Sequence, residues 1–314
     1  MASLTPVAAG TRVAGPPEGR PPDDRPLEDP ARRGRRATPY LLLLPGLAWL
    51  VLFFAVPVFA LGSTSLQTRV PGAEVGTYQQ TYRWANYSDA LTEYAPQFAR
   101  SFLYAGLATV LALVIGYPLA YAIALRAGRW RNLLLIAVIA PFFTSFILRT
   151  IAWKQVLADE GPVVSTLRAL HVLGPTTSLT ASATAVVAGL TYNFLPFMVL
   201  PLYASLERLD PRLIEASGDL YAAAPVTFRR VTLPLSMPGV VAGTLLTFIP
   251  AAGDYVNAAL LGNPSTSMIG NVVDSRFFRV VDYPTAASLS FVLMAAILVL
   301  VSVYIRRAGT EELV

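Results

Sequence analysis

Long apolar stretches recur along nearly the whole sequence and constrain the fold more than any other feature. A helix that crosses about 30 Å of hydrocarbon needs about 20 mainly apolar residues. Six stretches are long enough, at residues 40–64, 99–125, 132–156, 180–205, 238–261 and 285–305. Charged residues make up only 14% of the 314 positions, whereas soluble domains carry about 25%. The sequence therefore predicts an all-α integral membrane protein with six transmembrane helices.

Two of these spans, the third and the fifth, are interrupted by charge: Arg149 and Lys154 fall in one and Asp254 in the other. Gly239 and Gly243 open the fifth span with a small-xxx-small spacing that lets helices approach closely. Prolines also fall inside predicted helices, where each removes a backbone hydrogen bond; they are Pro118, Pro141, Pro196, Pro201 and Pro250. These features predict a packed, kinked bundle.

The flanks of the spans predict three regions and an orientation. Residues 1–38 are rich in Pro, Gly, Arg and Asp and are expected to form a disordered cytoplasmic tail. Residues 39–307 form the membrane domain and residues 308–314 a short second tail. Arginines concentrate in alternate connections, which marks those connections as cytoplasmic. Both termini are therefore expected inside the cell.

Composition also excludes several classes of function. The chain has no Cys, and His171 is its only histidine, so no metal site or Ser-His-Asp arrangement is expected. Lys154 is the only lysine and no Gly-Lys pair occurs, so the chain lacks a phosphate-binding loop. No catalytic residue, metal or cofactor is predicted. The pI of about 9.5 is explained by the arginines of the membrane flanks rather than by nucleic-acid binding.

The loop at residues 207–236 joins the fourth and fifth spans on the predicted cytoplasmic side. Asp210 followed by Pro211 is a strong helix start, with an acidic cap and a proline at the first helical position. Leu213 and Leu220 then recur at helical spacing, so residues 211–221 are predicted to form a short amphipathic helix. Pro225 can open a second short helix. A helix of this length cannot span lipid, and its small residues would suit the groove of a partner.

This loop resembles the signature loop of binding-protein-dependent ABC importer permeases, which reads Glu-Ala-Ala, three residues, Gly, nine residues, Ile-x-Leu-Pro. Glu215-Ala216-Ser217 matches the first element, and Val231-x-Leu233-Pro234 matches the last at the correct spacing. Ser217 replaces an alanine. Tyr221 stands where the family has glycine, and a tyrosine does not adopt a positive φ cheaply.

The resemblance implies a type I importer permease fold with a cytoplasmic coupling helix. It also implies a multi-pass protein of a bacterial cell membrane that works with an ATPase dimer, a second, related permease subunit and an extracytoplasmic solute-binding protein. The residues that would contact the ATPase are Glu215, Ala216, Ser217, Asp219, Leu220 and Tyr221.

A second resemblance concerns the cargo. Gly253-Asp254-Tyr255-Val256, the stretch from Leu260 to Thr266, and Met268-Ile269-Gly270-Asn271 are similar to the spermidine/putrescine permease branch, as are Arg149 with Trp153 and the re-entry from Leu233 to Gly239. The implied cargo is a polyamine. Another small nitrogenous solute, such as an opine, an amino-acid derivative or thiamine, is the alternative.

Asp254 is the most informative single residue, because an ionised carboxylate inside an apolar stretch is costly unless it faces a cavity or a partner. It is predicted to help pass a cationic amine, although an ion pair with Arg149 or a local role near Pro250 and Gly253 would also explain it. The other candidate pathway residues are Tyr255, Asn257, Tyr192 and Asn193, whose aromatic or polar groups could hold an amine.

Three further charged residues each allow more than one role. Arg149 and Lys154 would repel a polyamine unless neutralised; they either snorkel to the interface or indicate an anionic or zwitterionic cargo. Asp274 falls in an outer segment, where it would meet the binding protein or, more simply, stand in solvent. An ion-coupled secondary transporter is the rival function, since it would explain a lone intramembrane carboxylate without needing the 207–236 loop.

Overall fold

The computed structural model describes residues 38–174 and 177–308. The tails predicted at residues 1–38 and 308–314 lie almost entirely outside the described residues. The described residues fall into two units, one that ends at Pro57 and one that begins at Val58. In the first unit, the described part consists mainly of helix α1 (Thr38–Leu50) and a π-helical turn at Val51–Ala55.

The second unit holds nearly all of the remaining elements and is almost wholly helical. The long or paired helices are α2 (Val56–Ser65), α4 (Ala95–Leu125), α5 (Arg131–Ile139), α6 (Phe146–Val156), α8 (Ala183–Glu207), α12 (Met237–Ala252) and α15 (Tyr283–Ala308). The shorter helices are α3 (Ala85–Glu93), α7 (Pro162–Ala169), α9 (Pro211–Asp219), α10 (Ala224–Thr227), α11 (Leu233–Leu235), α13 (Val256–Leu261) and α14 (Ile269–Asp274).

Four helical segments of the described chain are long and apolar enough to cross a membrane: Leu42–Ser65, Ala95–Leu125, Ala183–Glu207 and Tyr283–Arg307. Two bent helix pairs raise the number to six if each pair is one span. The predicted helical membrane class is therefore confirmed, and four of the six predicted stretches correspond to single helical segments.

The third and fifth spans differ from the prediction. The third is broken between Phe143 and Phe146, where its two halves meet at 99°. Pro141 begins this break inside a 3₁₀ segment, and Thr144 is extended, so the helical hydrogen bonding cannot continue. The fifth span was predicted to run to residue 261, but α12 ends at Ala252 and residues 256–261 form the separate helix α13. The halves Ala224–Leu235 and Met237–Ala252 meet at 65°.

Helices α4, α8 and α12 pack against one another at the centre of the second unit. Glycines allow this close approach. A Cβ on Gly239 would lie 2.6 Å from the Ser205 Cβ, and one on Gly243 would lie 2.8 Å from the Met198 sulfur, so both positions of α12 require glycine against α8. The small-xxx-small face predicted from the sequence is therefore an interhelical contact.

Prolines inside the spans do not all break them. Pro118 lies within the continuous helix α4, Pro196 and Pro201 lie within α8, and Pro250 lies within the last turn of α12. The expectation that these prolines fall inside helices is confirmed, and only Pro141 coincides with a sharp break.

A small antiparallel hairpin follows the first span, and the sequence did not predict it. Strands β1 (Gln67–Arg69) and β2 (Tyr78–Gln80) pair in the register Thr68 to Gln79. Beyond the hairpin, α3 packs against α15. Helix α3 lies at the start of α4, whose later turns contact the 207–236 loop through Tyr117.

Candidate functional site: a surface helix and a buried polar hinge

Helix α9 stands outside the membrane spans and begins where the sequence predicts. The Asp210 carboxylate accepts a hydrogen bond from the Arg212 N–H at 3.0 Å, and Pro211 occupies the first helical position. Glu215, Ala216 and Asp219 are exposed on this helix. The helix ends at Asp219, two residues before the predicted end.

At the end of α9, Tyr221 adopts the left-handed backbone conformation for which the family uses glycine. The Tyr221 N–H donates to the Gly218 carbonyl at 2.9 Å, and the Ala222 N–H donates to the Ser217 carbonyl at 3.0 Å. This pair of bonds defines a Schellman motif, whose first residue beyond the cap is left-handed and is usually glycine. Tyr221 has φ +55° in that position. The turn is thus kept, at a backbone cost of about 1–2 kcal/mol for a residue with a Cβ.

Side chains at this turn point away from the described chain. Tyr221 is 98% exposed and the preceding Leu220 is 82% exposed. Ser217 is instead buried: its hydroxyl lies 2.9 Å from the Thr227 hydroxyl and so ties α9 to α10. Of the six residues predicted to contact an ATPase, five are therefore exposed, and Ser217 holds the loop together.

The loop is also connected to the central helices. Phe228, just after α10, packs edge-on against Tyr117 and Tyr121 of α4, with ring centroids 5.5 and 6.4 Å apart. The Tyr117 hydroxyl lies 2.7 Å from the Ser236 hydroxyl, between α11 and α12. A displacement of α9 would therefore act on α4 and α12 through aromatic packing and this hydrogen bond.

A buried polar chain joins three membrane helices at the end of the fifth span. The side-chain amide of Asn193 in α8 donates to the Thr150 hydroxyl of α6 at 3.1 Å and to the side-chain amide oxygen of Asn257 in α13 at 2.9 Å. The Asp254 carboxylate accepts the Asn257 N–H at 2.8 Å, which caps the first turn of α13. We call Thr150, Asn193, Asp254 and Asn257 the polar hinge, because they cross the point where α12 ends.

The predicted pathway residues divide between this hinge and the surface. Asn193 and Asn257 are buried and bonded to each other, and Asp254 is only 8% exposed. Tyr192 packs edge-on against Trp153 at 5.2 Å. Tyr255 alone among the five is strongly exposed. The pathway role of these residues stays a prediction, and the capping bond supports the local role considered for Asp254.

Arg149 departs from two of its sequence interpretations, the ion pair with Asp254 and the side chain extended to an interface. No salt bridge joins it to Asp254 in the described part of the chain. It is buried rather than extended to an interface, with its guanidinium over the rings of Phe142 at 4.9 Å and Phe146 at 5.6 Å. Phe146 lies three residues before Arg149 in α6, and Phe142 lies on the other side of the break in the third span. The sequence shows the spacing of the two phenylalanines and Arg149 but does not indicate the break in the third span. The cation–π contacts were therefore not predicted. Lys154 is exposed, as an interfacial lysine would be.

A groove of about 580 Å³ lies beside the polar hinge, and the sequence did not predict it. It is lined by Gly253 and Tyr255, which flank Asp254, by α14 and by one face of α15. Asp274, expected in solvent or against a binding protein, lines this groove and is half-buried.

Comparison with known proteins places this architecture in a family. Residues 112–308 match the model of the binding-protein-dependent transport system inner membrane component. The spermidine/putrescine transport system permease protein PotB of Haemophilus influenzae is 35% identical over 260 residues, covering 82% of this chain and 90% of that protein. PotB of Escherichia coli is 36% identical, with 82% and 93% covered. A probable molybdenum ABC transporter permease of Haloferax volcanii is 31% identical, with 72% and 77% covered.

Solved structures agree on the fold. A chain of a bacterial ABC transporter involved in importing the acidic polysaccharide alginate superposes with a TM-score of 0.70, covering 88% of this chain and 97% of that chain at 15% identity. The likeness supports the type I permease fold and carries no information on cargo. The chain belongs to the family of binding-protein-dependent transport system inner membrane components. It is a multi-pass membrane protein with a transport role rather than a catalytic one, which confirms the resemblance seen in its loop.

Proposed function

We propose that this chain forms the membrane pathway of an ATP-driven importer for polyamines such as spermidine and putrescine. The observation that carries the coupling part of the proposal is helix α9, which is capped at both ends and exposes Glu215, Leu220 and Tyr221 outside the spans. The cargo follows from the similarity to spermidine/putrescine permeases along most of the chain.

The partners would be an ATPase dimer, a second permease subunit and an extracytoplasmic binding protein. One similar solved structure is an alginate ABC transporter in complex with a periplasmic protein bound to an alginate pentasaccharide. In the proposed orientation both termini and α9 face the cytoplasm, because the arginine-rich connections lie on that side. The hairpin and α14 would then face the binding protein.

Helix α9 would transmit closure of the ATPase pair into the membrane. Ser217 and Thr227 hold α9 against α10, and Phe228 rests on the tyrosine rings of α4. A push on α9 would therefore move α4 and α12, which pack together with α8 as the centre of the bundle. Alternating access follows if this group rotates against the second permease subunit.

A cysteine cross-link tests the docking of α9. The chain has no Cys, so Ala216→Cys would carry the only thiol of this subunit, on an exposed position of α9. The proposal expects a bifunctional thiol–amine reagent to join it to the ATPase. Glu74→Cys, exposed near the hairpin at the opposite end of the spans, should yield no such product. Equal cross-linking from both positions would refute the docking site.

Uptake of labelled spermidine tests the cargo. A strain that lacks this gene should regain ATP-dependent uptake when the chain and its partners are supplied, and putrescine should compete. Competition by thiamine or an amino acid, without competition by any polyamine, would reject the polyamine assignment and keep the importer class. Uptake that survives ATP depletion and collapses with an uncoupler would instead support the ion-coupled alternative.

A further inference from the structure

The groove beside the polar hinge combines one free carboxylate with an extended apolar wall. Its volume is about 580 Å³, and it lies between Gly253 and Tyr255 on one side and α14 and α15 on the other. The wall along α15 includes Leu293, Met294, Ile297 and Leu298. From Ser290 to Leu298 the helix advances by roughly 12 Å at 1.5 Å per residue.

Asp274 gives this groove its charge. It closes α14 at the rim of the groove, and it takes part in none of the salt bridges found among the described residues. The nearby Arg276 is engaged elsewhere: it pairs with Glu93 at 3.1 Å and with Asp282 at 3.7 Å, and it contacts the Tyr94 hydroxyl. The Asp274 carboxylate is therefore free to receive a cation.

Tyr255 supplies a second point of attachment. Its ring lines the groove and is 48% exposed. An ammonium group is attracted to the face of an aromatic ring when it lies within about 6 Å of the centroid. Carboxylate, aromatic ring and apolar wall together match a molecule with several ammonium groups separated by methylene segments.

The floor of the groove is in direct contact with the polar hinge. A Cβ on Gly270 would lie 2.6 Å from the Gly253 carbonyl oxygen and 2.9 Å from the Asp254 carbonyl oxygen. The backbone of α14 is thus pressed onto the residues that end α12. The side-chain amide of Asn271 also donates to the Tyr255 backbone carbonyl at 2.7 Å. A ligand that displaces α14 would therefore also displace the backbone of the polar hinge.

We propose that this groove binds a linear polyamine, with one ammonium group on the Asp274 carboxylate, the methylene segments along α15 and Tyr255 against a further ammonium group. The proposal rests on the polyamine cargo proposed above and adds the place and the residues that hold it. It makes Asp274, rather than the helix-capping Asp254, the carboxylate that contacts the cargo.

A single thiol in the wall tests the proposal in the assembled transporter. Met294→Cys would place a thiol in the groove, and its rate of modification by a neutral methanethiosulfonate reagent would be measured with and without spermidine. Ala204→Cys, in the separate cavity near α9, is the control thiol. Spermidine should slow modification at position 294 and leave position 204 unchanged.

The charge requirement is tested by adding Asp274→Asn to the Met294→Cys chain. Protection by spermidine should weaken about tenfold in concentration, as expected when one charge-assisted contact is lost, and Asp274→Glu should restore most of it. Glu74→Gln, an exposed carboxylate outside the groove, should have no effect.

Three results would overturn the groove assignment. Protection that persists in Asp274→Asn would show that the carboxylate is not used. Modification at position 294 that ignores spermidine would place the cargo elsewhere, and a thiol that stays unreactive with and without spermidine would indicate a lipid-filled groove. Normal spermidine uptake in those cases would keep the proposed importer function, whereas absence of uptake in the unsubstituted transporter would refute that function instead.

Discussion

Two aspartates cap short helices in this protein, one at the surface and one inside the bundle. Asp210 is exposed and accepts the Arg212 N–H at the start of α9, while Asp254 is buried and accepts the Asn257 N–H at the start of α13. The local chemistry is the same, but the surroundings differ. The first cap begins an exposed helix, the one proposed to contact the ATPase, whereas the second lies where α12 ends and is linked to α6 and α8 through the polar hinge.

This contrast predicts where amino-acid substitutions disturb folding and where they do not. On α9 most side chains are exposed, so substitutions there should alter partner binding more than folding. At the polar hinge the side chains are buried and bonded to one another, so substitutions should alter folding first. Three predictions test this division, beginning with the largest expected effect.

The largest effect is expected from adding one methyl group to α14 where it packs against Gly253 and Asp254. Gly270→Ala would place its Cβ within 3 Å of the Gly253 and Asp254 carbonyl oxygens, so the backbone must shift, and overpacking of this kind costs about 1–3 kcal/mol. Gly218→Ala on α9 is the matched control, because its Cβ meets nothing within 4 Å. Thermal unfolding in detergent should show a lower midpoint for the first variant and an unchanged or higher midpoint for the second. Equal unfolding midpoints for the two variants would contradict the expected difference in tolerance between α9 and the polar hinge.

A loss of similar size is expected from deleting one side-chain amide of the polar hinge. Asn257→Ala would leave the buried Asn193 amide without one of its two partners, at a cost of about 1–3 kcal/mol for an unsatisfied buried group. Asn132→Ala makes the same change at an exposed position of α5 and should be nearly neutral. Unfolding midpoints of the two purified variants provide the measurement, and a neutral Asn257→Ala would show that the hinge is not held by these bonds.

The smallest effect is expected at the end of α9 and has the opposite sign. Tyr221→Gly would relieve the left-handed strain and stabilise the Schellman turn by about 1 kcal/mol. Amide hydrogen exchange along α9 should slow in this variant. Leu220→Gly, one residue earlier and not left-handed, should speed exchange instead. Faster exchange in Tyr221→Gly would mean that the tyrosine side chain stabilises the loop.

Much of the surface region could be predicted from the sequence because its signals are local. Asp210-Pro211 sets the start of α9 within two residues, and the spacing from Glu215 to Pro234 indicates the family. The contact of Gly239 and Gly243 with α8 also follows from a local pattern, since only small residues allow such packing.

The interior could not be predicted to the same degree because its determinants are distant in sequence. Asn193 meets Asn257 across 64 positions, and the apolar residues on either side of Asp254 concealed the end of α12. The 99° break of the third span has Pro141 as its only local signal, while four other span prolines lie in continuous helices. Asp274 lies within a groove because α14 folds back against the hinge, which no local pattern indicates.

Retention of the ATPase by a Glu215→Arg variant is the most direct test of the account. Glu215 is exposed on α9 and joins none of the ion pairs found in the described residues, so reversal of its charge should leave the chain folded in the membrane. The account predicts that the variant purifies from the membrane in normal amounts without its ATPase, and that spermidine uptake is lost. Undiminished co-purification and uptake would contradict the role assigned to α9.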